Sequence, residues 1–385
     1  MVIIIPTPIP GDRHLADAVA DDRQERAGGS AMARPREHLT RCVAAVALCL
    51  LAILGERAIG QDAVAPPDTM PTTPRAYAAM CELELGVAPT VDCGAGVVLP
   101  ITVDGVEVFE DPGLHECDNP SLQIGDCMPG SSLQRYLGRH ADGTPKPDAV
   151  WVSFCRHDGR DDVANFDMPD SVQLIGYNYE TGATCFFESG DNRPWTSVNE
   201  TNRLLGVLPG PDDPAFDQAY TVPGVQCVRC HQADPFNHNP WIKGARLPED
   251  PRQPVLPVIP GPNPPYYVLG APDWDMRTIH IEGNGCLGCH RIGMETLAEY
   301  TGDRWDPNEH MPPRNPGSLA ADYEELVQCW TNGPENTPGC NWVIPPAGDC
   351  DGGVVGDDYP YASARFNRGT GAEGRSAAGW RRPGC

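Results

Sequence analysis

The stretch VQLIGYNYETGATCFF, residues 172–187, sets the architecture. Apolar residues run over 172–179 and again over 184–187. Between them stands Tyr179-Glu180-Thr181-Gly182, in which glycine supplies the positive backbone angle that a tight turn requires. The reading is a β-hairpin. Similar short apolar runs broken by turn residues recur at 97–103 and 150–154, so residues 77–205 read as a mostly β region. The chain has 385 residues, 40% of them hydrophobic, with 41 glycines and 42 prolines. That composition favours loops, turns and short strands over long helices, yet it supplies enough apolar surface for packed cores.

The expected fold class is α+β and loop-rich: a disulfide-stapled, mostly β N-terminal domain over 77–205, then a largely irregular, short-helix unit over 206–345. Residues 1–60 read as an upstream extension and export signal, 61–76 as a flexible leader rich in Pro, Thr and Asp, and 346–385 as a C-terminal tail. Between 247 and 265 proline recurs too often for helix or central strand, so this segment is expected to be extended. The strongest helix signal is at 318–330, where Ser318 can cap and Leu319, Tyr323, Leu326 and Trp330 share a face.

Compartment follows from the first hydrophobic segment. Arg34, Arg36 and Arg41 precede a run of 14 apolar and small residues, Cys42 to Gly55. A membrane span needs roughly 20 such residues, and small Ala58 and Gly60 follow, so the pattern is a cleaved export signal with cleavage after Gly60. Because 31 residues precede Met32, Met32 reads as the true start. The mature chain is then periplasmic or secreted, with no membrane span.

The cysteines agree. Of 16 in the chain, Cys42 and Cys49 leave with the signal and four lie in the motifs described next. The remaining ten are Cys81, Cys93, Cys117, Cys127, Cys155, Cys185, Cys329, Cys340, Cys350 and Cys385, an even set suited to an oxidising compartment. Expected pairings are Cys155 with Cys185 across adjacent strands, Cys81 with Cys93, and Cys117 with Cys127. The formal charge of -25 argues against nucleic acid, whose phosphates are bound through excess Lys and Arg.

The chemistry is carried by QCVRCHQ at 226–232 and GCLGCHR at 285–291. Two thiols three positions apart reach the two vinyl groups of one haem, and the adjacent histidine is directed at its iron. Cys227, Cys230 and His231 would hold one covalent haem c, and Cys286, Cys289 and His290 a second. Zinc is the rival. Zinc ribbons place their cysteine pairs roughly 15 to 20 residues apart, whereas 55 residues lie between Cys230 and Cys286.

On these motifs, residues 205–345 resemble the c-type cytochromes. The second unit is similar to the class I pattern, in which a Met-Pro element supplies the distal ligand and a terminal helix packs on the haem. That resemblance implies Met311 in His310-Met311-Pro312-Pro313 as distal iron ligand, with His310 the main competitor and Met294 a third. For the first haem the candidates are His280, His238 and open, water-ligated iron. His115, His140 and His157 are isolated and read as surface or structural. Aromatic residues near the motifs, Phe236, Trp241, Tyr266 and Trp330 among them, suit a haem pocket as well as an ordinary core. The acidic tail with Asp349 and Asp351 lacks the spacing of a calcium loop.

Three functions remain open. The first is single-electron transfer between redox partner proteins. The second is a haem enzyme of the dihaem peroxidase kind, although the motifs lie closer together than that family's two cytochrome domains require. In the third, the N-terminal region docks the haem unit on a surface or partner.

Overall fold

The structure, a computed structural model, describes residues 70–121, 125–157, 170–190, 194–223, 227, 230–261, 263–271, 274–288, 290–301, 318–347 and 352–355. The export segment, Cys289, His310, Met311, Cys350, Cys385 and the acidic tail residues Asp349 and Asp351 lie outside the described residues. The fold is mixed α and β, mostly strands with few helices.

The 172–187 hairpin forms the centre of a six-stranded sheet. Its strands in spatial order are β1 (Val97–Val98), β2 (Ser132–Arg139), β3 (Pro145–His157), β4 (Asp170–Asn178), β5 (Ala183–Ser189) and β6 (Tyr267–Val268). Neighbours are antiparallel except β5 and β6, which run parallel. The β4–β5 turn carries Gly182 at φ 78°. Asn178 fixes its entry, because Oδ1 accepts from the backbone N–H of Glu180 (2.8 Å) and of Thr181 (3.0 Å). An Asx turn of this kind does part of what the glycine does.

Successive residues of a strand point to opposite faces, and the sheet uses both. One face presents Leu133, Val150, Val152, Tyr177 and Phe186 to a core completed by Phe236, Trp241, Tyr266 and Trp274. The other presents Trp151, Cys155, Leu174, Cys185 and Phe187 to α1 (Pro74–Leu85) and to Phe216 and Tyr220. The segments on either side of residue 205 therefore share these cores. Helix α1 takes in the last three residues of the expected leader. Thr73 accepts from Ala76 N–H at 3.2 Å and Pro74 takes the first turn, where its missing donor does no harm. Gly86 ends it at φ 72°, where a Cβ would overlap the carbonyl of Arg139.

Among the described residues four disulfides are present, and two of the expected pairings are corrected. Cys117–Cys127 forms as expected, but Cys81 bonds Cys185 and Cys93 bonds Cys155, with Cys329–Cys340 the fourth. Cys155 and Cys185 do not meet because β4 lies between their strands: Cys155 faces Val172 and Cys185 faces Gly176 in register. Instead each staples an N-terminal element to the sheet, α1 through Cys81 and the short 3₁₀ turn Cys93–Ala95 through Cys93.

A second, four-stranded antiparallel sheet follows, in the spatial order Ile292–Gly293 (β8), Thr278–Ile281 (β7), Cys340–Ile344 (β9) and Gly353–Val355 (β10). Helices α2 (Met294–Thr301) and α3 (Ala320–Asn332) pack on it through Met294, Leu297, Leu326 and Cys329. The α3 helix starts after Leu319, which makes no side-chain capping bond, so the expected Ser318 cap is displaced by one position. Within the proline-rich 247–265 segment Asp250–Pro254 is extended, and Val255 and Leu256 anchor it in the main core. Among the described residues no helix is long and apolar enough to cross a membrane.

Candidate functional site

Cys227, Cys230 and His231 have helical backbone, so the two thiols lie one turn apart on one side of that turn. Cys227 packs, half-buried, against the main core, and neither cysteine takes part in the four disulfides. The imidazole of His231 lies 5.2 Å from the ring of Phe186, centroid to centroid, and the phenol of Tyr266 donates to the His231 carbonyl. Burial pushes His231 down to about 4. The nearby backbone of Pro235 and Asp234 opposes that shift but closes no hydrogen bond on Nδ1, which is buried and has no partner.

In the second motif Cys286 opens a 3₁₀ turn, Cys286–Gly288. Its N–H donates to Asn284 Oδ1 at 3.1 Å, and Asn284 Nδ2 reaches Asp322 O (2.9 Å) and Glu325 Oε2 (3.0 Å) on α3. This motif is therefore seated on the helix expected at 318–330. His290 is half-buried, and its Nδ1 donates to the carbonyl of Arg291 at 2.9 Å. A carbonyl only accepts, so this contact assigns the proton to Nδ1 and leaves the Nε2 lone pair for a metal.

The two motifs, far apart in sequence, are joined by the residues that follow each. Gln232 is fully buried. Its Nε2 donates to Asp275 O at 2.6 Å, and its Oε1 accepts from the N–H of Glu295 at 2.6 Å, just after the second motif. Gly293 permits this approach, since a Cβ there would overlap Gln232 Oε1. Asp234 and Arg291 form an ion pair in which one oxygen takes two donors, Nη2 to Oδ1 2.7 Å and Nε to Oδ1 3.0 Å, with both side chains largely shielded from solvent. None of these partners was marked as functional in the sequence. Their only signal was polar side chains flanking each CxxCH.

The expected distal ligands fare differently. His280 is on β7, opposite Asn341, with its ring in solvent, and it takes no part in the contacts around His231. His238 is largely buried, its Nδ1 has no partner, and burial first, then the charges of Lys243 and His290, push it down to about 4. Its ring thus sits within electrostatic reach of the second motif. Met294 is buried beside Leu297 and Leu326 as ordinary core.

A tetrahedral zinc cage needs four converging donors. Among the described residues no three His, Cys, Asp or Glu side chains gather as a metal-binding group. The donors that the described residues offer here are two thiols one turn apart, the imidazole of His231, and that of His290, whose Nδ1 is committed to the Arg291 carbonyl. Comparison with protein-family models, with curated proteins and with solved structures finds no match to the chain.

Proposed function

We propose that the chain is an exported dihaem c-type cytochrome that passes single electrons between protein partners. Cys227 and Cys230 would bind one haem and Cys286 and Cys289 the other, with His231 and His290 as the proximal ligands. The haem supplies a reversible one-electron couple at iron whose potential its axial ligands and surroundings tune. The chain's own residues would bind the group and orient the imidazoles.

The observation that carries this reading is the contact between the motifs. Gln232 and the Asp234–Arg291 pair tie the residue stretches after His231 and His290 into one buried unit. Two independent structural sites would need no such link, whereas electron exchange needs a fixed separation. Four disulfides support the export part of the proposal, since bridges persist in oxidising compartments. The net charge of -25 favours redox partners with basic docking faces.

The test is pyridine haemochrome quantification on the exported chain, followed by redox titration. Two covalent haems per chain and two reversible one-electron steps are expected. Fewer than two haems overturns the proposal, and rapid turnover of hydrogen peroxide by the reduced protein would replace the carrier with a peroxidase-like enzyme.

A further inference from the structure

Arg291 directly follows His290, and one carboxylate holds it at both ends. Asp234 Oδ2 accepts from the Arg291 backbone N–H at 2.9 Å, while Oδ1 accepts from Nε (3.0 Å) and Nη2 (2.7 Å). The remaining guanidinium nitrogen, Nη1, donates to the carbonyl of Pro264 at 2.6 Å. Asp234 thus holds both the amide and the side chain of the residue whose carbonyl accepts from His290 Nδ1. The carboxylate at the start of this chain of contacts belongs to the segment that follows the other motif. At His231 the backbone of Pro235 and Asp234 lies beside the ring, but no hydrogen bond closes on the buried Nδ1.

We propose that Asp234 is a positioning residue for His290, acting through Arg291 to fix the imidazole and to make the two haem sites unequal. This rests on the dihaem reading for its redox part; the positioning part rests on the hydrogen bonds alone. An imidazole that donates from Nδ1 to a fixed carbonyl is a more basic ligand through Nε2. A more basic ligand stabilises the oxidised iron and lowers its potential. With like distal ligands, the His290 site would be the lower-potential one, and electrons would run from it toward the His231 site.

The experiment uses the full exported chain in four forms: wild type, D234A, D234E and D234A/R291Q. The double variant removes both members of a shielded ion pair, so it avoids stranding one charge and leaves the net charge unchanged. In redox titration, D234A/R291Q is expected to raise the lower midpoint by about a tenfold change in the reduction equilibrium, 59 mV for a one-electron couple. The upper midpoint stays, and D234E restores part of the gap. In parallel, solvent exchange of the His290 Nδ1 proton, followed by NMR, is expected to speed up at least tenfold in D234A/R291Q while buried backbone amides keep their rates. Equal movement of both midpoints, or an unchanged gap, overturns the redox part. Unchanged Nδ1 exchange overturns the positioning role. If wild type carries no haem, the dihaem reading fails by itself, and the exchange measurement still decides what Asp234 does.

Discussion

Replacing Cys81 and Cys185 together by alanine removes the bridge between α1 and the central sheet, and the size of the effect follows from what else closes the same loop. The two residues are 104 positions apart. In the chain-entropy relation a cross-link over a loop of that size contributes about 4.7 kcal/mol at 25 °C. The Cys93–Cys155 bridge is nested inside it, however. With that bridge intact the shortest path round the loop is about 43 residues, and the same relation gives about 4 kcal/mol. Cys117–Cys127 spans only 10 positions, for which about 2.7 kcal/mol is expected. Each double alanine variant removes two sulfurs from well-buried sites, so the packing losses largely cancel in the comparison. The assay is equilibrium urea unfolding of the non-reduced full chain, followed by the fluorescence of buried tryptophans such as Trp151. C81A/C185A should lose about 1 kcal/mol more than C117A/C127A, with the m-value rising as the unfolded chain expands. Equal losses, or a greater loss from the short loop, would refute the reasoning from loop closure.

Three other outcomes are expected. C227A/C230A should halve the haemochrome yield per chain and leave the second site loaded; retention of two haems would show that these thiols bind none. G176A should destabilise the fold by about 1–3 kcal/mol in urea, because the added methyl would lie 2.7 Å from the Trp151 ring and 2.8 Å from Leu85 Cδ1; wild-type stability would mean that Trp151 moves freely. His238 is held near 4 by burial, below its ordinary 6.5, so the unfolded chain binds the extra proton between those values. Its contribution is complete above pH 6.5 and is lost as pH falls toward 4, about 3 kcal/mol in all. Urea midpoints of wild type and H238Q across that window measure it, and parallel profiles for the two proteins would contradict the assignment.

How far the sequence reached depends on the range of the interaction involved. The hairpin at 172–187 was legible because its alternation and its turn glycine are local, and the structure adds only the Asn178 cap that locks the turn. Cys117–Cys127 was legible for the same reason. The other two N-terminal bridges were not, because strand order decides them, and nothing local to Cys155 or Cys185 says that β4 separates them. Helix α1 had its signals in Thr73 and Pro74, but they stand at the edge of a Pro- and Thr-rich leader and were read as part of it. His280, a candidate ligand in the sequence, lies on β7, whose alternation turns its ring to solvent while Ile279 goes inward. The thiol and histidine spacing of the two motifs is local, so it is visible in the sequence whatever group it holds. The Asp234–Arg291 pair spans 57 positions and depends on tertiary folding alone.

The parallel strand β6 has a consequence for assembly. Every other neighbour in the large sheet pairs antiparallel, but Tyr267–Val268 docks beside β5 only after an excursion from Ser189 that contains Cys227 and Cys230. Closing so long a loop is late in folding, since its entropy must be lost before the pairing returns anything. The β2–β5 meander can therefore register while that cysteine pair is still accessible to the machinery that would attach a haem. On the proposed dihaem reading, maturation would then run in order: sheet first, covalent loading next, edge strand last. A chain stalled at the second step would keep its native hairpins and lack only the seam at Tyr266 to Val268, a defect that protease sensitivity would locate between residues 190 and 266.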